Sequence, residues 1–282
     1  MKHSSQKEVK RARSPFNVHP SDNGTSSDFS VDLVQSLLPL KLRSEREARG
    51  HFLLDGLRCV HLALETDALQ TLLFAVDAPF ATLELVREAR EAGVHCVPVE
   101  NAALTQLACG PDPQGVIGVG ARRPLSLSEA FADEGVWIAL ESVQKDGNLG
   151  SILRTCEAAG ARGVIAVGSQ IDFFAPNVVR ASMGAFFAQK LVRATWNELL
   201  DFKMRREVAW FGTSLEASVG YDTLAYPRNF WLWMGDEQAG LSERALHECD
   251  TRISIPMQGR VDSLNLAVAT GIVLYGARKR SG

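Results

Sequence analysis

The chain has 282 residues, of which 46% are hydrophobic and 22% are charged, and its formal net charge is -3. This length and apolar content can bury one large or two medium cores, so two domains are expected. No uninterrupted apolar run approaches the length of a membrane span, and the first residues lack the apolar segment of a secretory signal. These features predict a soluble, cytoplasmic protein with no membrane partner.

The five cysteines are odd in number, scattered and without a Cys-x-x-Cys pair. This pattern indicates a reduced, intracellular chain without structural zinc, and no metal site is predicted. The negative net charge argues weakly against nucleic-acid binding, because most phosphate-binding domains are basic. Basic residues nevertheless crowd positions 41–49, where Arg46 and Arg49 are candidate RNA contacts. The alternative is a solvated face in which Glu45 and Glu47 are mixed with these arginines.

In chain order, residues 1–37 are predicted to form a disordered polar and basic tail. Hydrophobic patterning then predicts a small α/β domain over residues 38–121. Its first part, REARGHFLLDGLRCVHLALE, is a helix candidate that contains Gly50 and Gly56 in its interior. Strand, helix, strand, short helix and strand patterns follow it. RRPLSLSEAFADEG, residues 122–135, is predicted to be a linker.

Residues 136–282 again alternate between strand and helix patterns, which predicts a mostly parallel sheet with helices on both faces. Three stretches of this domain share one design, a strand followed by a glycine-bearing loop and a helix. They are VWIALESVQKDGNLGSILRTCEAAGA (136–161), FWLWMGDEQAGLSERAL (230–246) and RISIPMQGRVDSLNLAVATGIVLYGARKR (252–280). The sequence contains neither a Gly-x-Gly-x-x-Gly dinucleotide turn nor a Gly-Lys-Ser/Thr phosphate loop.

In the third stretch, a helical pattern begins at Ser263, which stands where a helix cap belongs. The helix has almost no polar face before Tyr275, so we expect it to be buried. Ser263 and Asn265 at the mouth of an apolar element suit a small-molecule pocket, which needs a few polar groups on a hydrophobic wall. Each also has a plainer interpretation: Ser263 as a cap only, and Asn265 as a satisfied buried amide.

In the first stretch, Gly147, Asn148 and Gly150 are predicted to form a flexible turn that leads into a helix, where backbone amides would face an anion. Arg154 could bind the same anion with two hydrogen bonds. The alternative is a capped helix with a surface arginine. In the second stretch, Glu237 is either an acceptor that organises the first loop or a carboxylate that caps its own helix. Flanking glycines, which permit close backbone approach, favour the first interpretation.

Together the three stretches resemble the signature motifs of the SpoU (TrmH-like) branch of the SPOUT RNA methyltransferases. In that family, motif 1 is Asn-x-Gly-x-x-x-Arg, motif 2 is Gly-x-Glu followed by Gly, and motif 3 is Ile-Pro-Met-x-Gly followed by Ser-Leu-Asn. The matching residues here are Asn148, Gly150 and Arg154, then Gly235, Glu237 and Gly240, and then Ile255, Pro256, Met257, Gly259, Ser263, Leu264 and Asn265. A fainter similarity, at 52–56 and 114–116, is to the L30e-like substrate-binding domain often fused to these enzymes.

The resemblance implies methyl transfer from S-adenosyl-L-methionine to a ribose 2′-hydroxyl of RNA. It also implies a deep trefoil knot in the C-terminal domain, and a homodimer whose active site is completed across the interface. The L30e-like domain favours ribosomal RNA as the substrate, with transfer RNA as the alternative. A thiopeptide-resistance enzyme, or an RNA-binding or ribosome-assembly factor that retains the fold without turnover, are further alternatives.

The resemblance also assigns residues. The implied catalytic residues are Asn148, Arg154, Glu237, Ser263 and Asn265. The implied cofactor contacts are Leu215, Gly235, Ile255, Met257 and Leu264. Arg180, in the segment RASMG, is implied as an RNA contact. Because a guanidinium is a poor base, the arginine of motif 1 is expected to orient the hydroxyl and an RNA phosphate.

Overall fold

The first half of the chain forms a four-stranded sheet with helices on both faces. The computed structural model describes residues 26–110, 114–130 and 134–280. The strands of this sheet are β1 (His51–Asp55), β2 (Leu69–Ala75), β3 (His95–Val99) and β4 (Val116–Ala121). The helices are α1 (Ser26–Leu37), α2 (Arg43–Arg49), α3 (Leu57–Glu65), α4 (Phe80–Glu91) and α5 (Asn101–Leu107). The strand order is β1-β4-β2-β3, in which only β2 and β3 pair in parallel.

The ordered fold begins earlier than predicted. Residues 26–37 belong to helix α1 and not to a disordered tail. The reason is apolar burial, because Leu33, Val34 and Leu37 pack into the core of the four-stranded sheet. The rest of the predicted tail, residues 1–25, lies outside the described residues.

The helix candidate that contains Gly50 and Gly56 is wrong as a single element. Gly50 adopts a left-handed conformation with φ of 65° and ends α2, and Gly56 has φ of 99° immediately before α3. Between them lies β1, which pairs with β4 along its whole length. Two glycines in conformations that other residues rarely adopt therefore divide the pattern into helix, strand and helix.

The second half of the chain forms a six-stranded sheet. Its strands are β5 (Val136–Leu140), β6 (Gly163–Val167), β7 (Lys190–Ala194), β8 (Ala209–Thr213), β9 (Phe230–Met234) and β10 (Thr251–Ile253). Its helices, with one short helix before β5, are α6 (Leu127–Ala130), α7 (Asp146–Ala158), α8 (Pro176–Ala181), α9 (Ala185–Ala188), α10 (Trp196–Arg205), α11 (Glu243–Glu248) and α12 (Leu266–Lys279). The order is β10-β8-β9-β5-β6-β7, and every pair is parallel. The predicted parallel sheet is confirmed.

Both faces of this sheet are covered, as its continuous apolar strands require. One face packs against α7, α8 and α12, and the other carries four fully buried tryptophans, Trp137, Trp210, Trp231 and Trp233. Because all six strands run in the same direction, the loops that follow β5, β8, β9 and β10 meet at one edge of the sheet. In open parallel sheets this edge is where ligands bind.

The two sheets are joined by a packed interface. Phe52 of β1 contacts Phe174 and Phe186, with ring centroids 5.1 and 5.4 Å apart. Asp55, at the end of β1, accepts a hydrogen bond from Arg180 of α8 at 2.9 Å. The first half of the chain is thus fixed to the face of the six-stranded sheet that also carries α7.

The described part of the predicted linker is ordered. The backbone N–H of Leu125 donates to Leu191 at 2.7 Å, so the segment runs beside β7, and Leu127 and Ala130 of α6 are buried. The domain boundaries themselves and the trefoil knot stay predictions.

Candidate active site

A cleft of about 380 Å³ opens at the carboxyl ends of β8, β9 and β10. This volume lies within the usual range of small-molecule sites. The last residues of the three strands, Thr213, Met234 and Ile253, form part of its wall. The cleft is also lined by all five residues predicted to contact a cofactor, namely Leu215, Gly235, Ile255, Met257 and Leu264.

The charged side chains that line this cleft are carboxylates. Asp236, Glu237 and Asp262 line it, and no lysine, arginine or histidine does so among the described residues. Negative groups beside an apolar wall attract a cationic ligand and repel one that carries phosphates. The cleft therefore suits a ligand with positive charge and an apolar ring.

The turn after β9 depends on two glycines. A Cβ atom on Gly235 would lie 2.1 Å from the carbonyl carbon of Gly240, a distance that real Cβ atoms do not show. Gly240 has φ of 70°, and its carbonyl accepts from the N–H of Asp236 at 2.9 Å while its N–H donates back at 3.1 Å. Glycine at both positions lets the chain fold back on itself and leaves Glu237 at the top of the turn.

Three side chains from the three motifs form one chain of hydrogen bonds. The amide nitrogen of Asn265 donates to the amide oxygen of Asn148 at 2.9 Å. The amide nitrogen of Asn148 donates in turn to Oε1 of Glu237 at 2.8 Å. The structure thus brings together three of the implied catalytic residues, which are far apart in sequence.

The direction of this chain is fixed at both ends. A carboxylate can only accept, so Glu237 requires the nitrogen of Asn148 to point toward it. At the other end, the amide oxygen of Asn265 accepts from the backbone N–H groups of Ala267 at 3.0 Å and Val268 at 3.3 Å. Backbone N–H groups can only donate, so the nitrogen of Asn265 must face Asn148. Neither amide can flip without losing hydrogen bonds.

Glu237 is held as an anion. Burial by itself would raise its pKa, but hydrogen bonds from the Asn148 side chain and from the backbone N–H groups of Gln144, Glu237 itself and Lys145 outweigh that effect and lower the pKa. The contact with Gln144 N is 3.1 Å long. Glu237 therefore accepts hydrogen bonds from the loop of motif 1. This agrees with the interpretation of Glu237 as an acceptor that organises that loop.

The start of the last helix differs from the prediction. Asn265, and not Ser263, is the N-cap of α12, which begins at Leu266. Ser263 is exposed and lines the cleft instead. The expectation that the whole helix is buried is also wrong for the single chain, because Val268 and Tyr275 are 51% and 53% exposed. They lie seven residues apart and so share one face of the helix.

Motif 1 forms a helix start and not an extended turn. Helix α7 begins at Asp146, so Gly147 and Asn148 belong to its first turn and Gly150 lies inside it. A Cβ atom on Gly150 would lie 2.5 Å from the Cβ of Ala181. This glycine is needed for close packing of α7 on α8, and the predicted flexible turn through Gly150 is wrong.

Of the implied catalytic residues, Glu237 and Ser263 line the cleft, Asn148 and Asn265 are hydrogen-bonded to that site through Glu237, and Arg154 stands apart. It lies six residues beyond Asn148, about 9 Å further along α7. Its side chain is exposed, and it has no hydrogen bond or ion pair with the described residues. It does not line the cleft of its own chain.

Comparison with known proteins decides the family. A model described as the SpoU rRNA Methylase family matches residues 135–275, half of the chain. The chain belongs to the SpoU rRNA methylase family. A second model, described as an MRM3-like substrate binding domain, matches residues 32–118 and so covers β1, β2, β3 and the first half of β4.

Relatives of this SpoU protein share its full architecture. It is 30% identical to the 23S rRNA (uridine(2479)-2′-O)-methyltransferase of Streptomyces viridochromogenes, over 83% of this chain and 85% of that protein. It is 27% identical to the 23S rRNA (guanosine(2553)-2′-O)-methyltransferase RlmP of Bacillus subtilis, over 87% of this chain and 95% of that one.

Solved SpoU structures superpose well. The AdoMet-bound rRNA methyltransferase of Sinorhizobium meliloti is 33% identical with a TM-score of 0.79, covering 88% of this chain and 94% of that chain. The SpoU methyltransferase AviRb of Streptomyces viridochromogenes, in complex with the cofactor AdoMet, is 28% identical with a TM-score of 0.78, over 89% of this chain and 98% of that chain.

The arginines predicted to contact RNA mostly have partners within this SpoU chain. Arg46 is 6% exposed and pairs with Asp172, so it is not a surface arginine, and its contact with RNA stays a prediction. Arg49 pairs with Glu45 at 2.7 Å. Arg180 pairs with Asp55 at 2.9 Å and keeps 38% of its side chain exposed. The partners of Arg46 and Arg180 are distant in sequence, and composition alone does not reveal such pairs. Glu45 lies one turn before Arg49 on the same helix.

Asp236 and Gln144 are not identified from the sequence as residues that connect motif 1 to motif 2. Asp236 Oδ2 accepts from Nε2 of Gln144 at 2.8 Å and from the hydroxyl of Ser142 at 3.3 Å, which ties the loop after β5 to the turn after β9. Hydrogen bonds from the backbone N–H groups of Gln238 and Ala239 lower the pKa of Asp236. Their positions next to motifs 1 and 2 were the available signal.

The described residues contain no group of three or more potential metal ligands. Within the same ranges, no helix has both the length and the apolar character that crossing a membrane requires.

Proposed function

We propose that this protein transfers a methyl group from S-adenosyl-L-methionine to a ribose 2′-hydroxyl of 23S ribosomal RNA. The observation that carries the proposal is the hydrogen-bonded chain of Asn265, Asn148 and Glu237 beside a carboxylate-lined apolar cleft. The names of the relatives support ribosomal RNA as the substrate.

The residues of the cleft fit this cofactor. Leu215, Ile255 and Leu264 supply apolar surface for an adenine ring, and the carboxylates of Asp236 and Glu237 suit a ligand that carries sulfonium and ammonium charges. When bound, S-adenosyl-L-methionine supplies the methyl group. The cofactor contacts predicted at Gly235 and Met257 are backbone and apolar contacts in the same cleft.

The chain of hydrogen bonds acts by positioning. It locks the side chains of motifs 1, 2 and 3 in one arrangement before the reactants bind, and correct placement of reacting groups supplies much of the rate in such transfers. Ser263, on the exposed rim of the cleft, is placed to hold the ribose. Arg154 binds the phosphate next to the target ribose.

A homodimer accounts for the position of Arg154. This residue is exposed and does not line its own cleft. Helix α12, which has an exposed apolar face with Val268 and Tyr275, packs by another face against α7, the helix that carries Arg154. Burying this face against a second copy would bring Arg154 of one protomer to the cleft of its partner.

Mixing two inactive variants tests this arrangement. Arg154→Ala and Asn265→Ala chains, each inactive alone, are combined under conditions that allow subunit exchange. If the two residues serve one site from different protomers, about a quarter of the wild-type sites are restored, because half of the dimers are mixed and each has one intact site. No recovery, with exchange verified, would overturn the shared site.

The substrate is tested with methyl-labelled cofactor, ribosomal RNA and transfer RNA. We expect label in 23S ribosomal RNA and a ribose methyl at the mapped nucleotide. Label in transfer RNA alone would favour the transfer-RNA alternative. Failure to bind S-adenosyl-L-methionine in calorimetry would favour an RNA-binding factor without turnover.

A further inference from the structure

A second cavity, of about 270 Å³, lies between the two halves of the chain and apart from the cleft. We name it the arginine pocket. Four arginines line it against two carboxylates, and one of the four, Arg123, pairs with Glu129 outside the pocket at 2.5 Å. The arginines are Arg46, Arg122, Arg123 and Arg193, the carboxylates are Glu47 and Asp172, and the remaining lining residues include Phe52 and Phe174.

Arg46 is almost completely buried in this wall and is not fully satisfied. Its two terminal nitrogens donate to Leu40 O and Lys41 O, each at 2.8 Å, and to Asp172. Its Nε has no hydrogen-bond partner. A buried donor without a partner carries the full cost of its lost hydration, so the charge of Arg46 is held in this wall at a cost.

Arg193 repeats this pattern from the other half of the chain. Its terminal nitrogens contact Glu47 at 3.1 Å and Ile171 O at 3.2 Å, and its Nε is buried without a partner. Glu47 is shared, because it also accepts from Arg43 at 3.0 Å. One carboxylate therefore faces two guanidinium groups.

Arg122 has no carboxylate partner among the described residues. Its terminal nitrogens donate to Phe186 O and Gln189 O, each at 2.8 Å, and its guanidinium lies over the ring of Phe186 at 5.3 Å. Burial lowers the pKa of Arg122. A partly buried cation without a counter-charge is costly, and an anion in the pocket would remove that cost.

Part of the arginine pocket lies on the same edge of the sheet as the cleft, whereas Arg122 bonds Gln189 O, just before β7 begins. Asp172 follows β6 and Arg193 belongs to β7, whereas the cleft follows β8, β9 and β10. Counting neighbouring strands at about 4.8 Å each, β9 lies about 10 Å from β6 and about 14 Å from β7. An RNA strand that crosses this edge could reach both places with a few nucleotides.

We propose that the arginine pocket binds a phosphate group, and that its natural source is the RNA backbone beside the methylated nucleotide. The assignment of RNA rests on the proposed function. Arg46, Arg122 and Arg193 together supply the positive charge that such a group requires.

The first experiment asks whether the pocket binds phosphate at all. Inorganic phosphate is titrated into the full-length protein at constant ionic strength, and the melting temperature is recorded. We expect phosphate, but not chloride, to raise it. Arg193→Gln should abolish this response, and Glu47→Gln, which frees Arg43 and Arg193 from their shared carboxylate, should strengthen it. Arg205→Gln is the control, because Arg205 is an exposed arginine outside the pocket.

The second experiment asks whether RNA supplies the phosphate. The affinity for a ribosomal RNA fragment is measured between about 50 and 200 mM salt, and a single-strand phosphate contact contributes about 0.7 to the logarithmic slope. For Arg193→Gln, we expect the slope to fall by about that amount, so the loss of affinity over this range becomes about threefold smaller. Arg205→Gln should keep the wild-type slope.

The outcomes separate the possibilities. No phosphate response in wild-type protein, or equal responses in Arg193→Gln and Glu47→Gln, overturns the pocket. A phosphate response with an unchanged RNA slope overturns RNA as the source and assigns a free phosphate-bearing ligand. If the proposed function is wrong, the protein will not bind S-adenosyl-L-methionine in calorimetry. The phosphate titration does not depend on that cofactor, so the two failures can be distinguished.

Discussion

Replacing Asn148 by Asp should make stability depend on pH in a way that replacing it by Ala does not. The amide nitrogen that now donates to Oε1 of Glu237 at 2.8 Å would become a carboxylate oxygen facing another carboxylate. Asp and Asn have nearly the same shape, so the change inserts a charge and leaves the packing intact. Asn148→Ala removes the same hydrogen bonds without adding charge and serves as the matched control.

The magnitude follows from the geometry. Two unit charges at about 4 Å repel by about 1 kcal/mol in water and about 4 kcal/mol near a protein surface, which corresponds to a pKa rise of about one to three units for one of the pair. Asn148→Ala loses one hydrogen bond to a charged group and one neutral one, about 2 kcal/mol in this partly exposed setting.

In the wild type the pKa of Glu237 is lowered, so its contribution to stability is present above the unfolded-state pKa and is lost only as the pH falls through the lowered value. In Asn148→Asp, one carboxyl has a raised pKa in the folded state. The loss of stability caused by charge repulsion is therefore small near pH 4.5, where the two carboxyl groups share a proton. It is complete near pH 8, where both are ionised.

Urea unfolding of both variants at about pH 4.5 and about pH 8 measures the effect. We expect a nearly constant deficit for Asn148→Ala. For Asn148→Asp, the deficit should be about 1 to 4 kcal/mol larger at the higher pH. Equal deficits for the two variants at both values would refute the placement of Glu237 against Asn148.

Three further predictions concern neighbouring features. Asn265→Ala should lose the α12 cap, about 1 kcal/mol in the free energy of unfolding, whereas Asn265→Asp should keep the cap. Both variants should lose methylation activity, since neither side chain can donate a hydrogen bond to Asn148. Gly235→Ala should abolish cofactor binding in calorimetry, while Gly147→Ala, whose Cβ would meet nothing within 4 Å, should bind normally. Arg46→Met should destabilise by about 3 to 5 kcal/mol in thermal unfolding, because it leaves the carboxylate of Asp172 without its partner.

The parallel sheet could be predicted from the sequence because it depends on local signals, whereas the grouping of the three motifs into one site was implied by the family resemblance. Continuous apolar runs mark buried parallel strands, and a glycine such as Gly235 marks the turns between strand and helix. Parallel strands then bring their carboxyl ends to one edge without further information.

What could not be predicted depends on partners distant in sequence. Arg46 reads as a surface cation, and only the folded chain places it beside Asp172, 126 residues away. The cap of α12 could not be assigned from sequence because Ser263 and Asn265 are both good caps; in the fold Asn265 caps the helix and also donates to Asn148, 117 residues away.

The interface of Phe52, Phe174 and Phe186, with the ion pair of Asp55 and Arg180, holds the two sheets at one separation and one angle. The first half of the molecule therefore fixes a distance: an RNA feature bound there would lie at a constant distance from the cleft. An enzyme of this design would change its target nucleotide by altering how its two halves dock, with no change in the chemistry of the cleft.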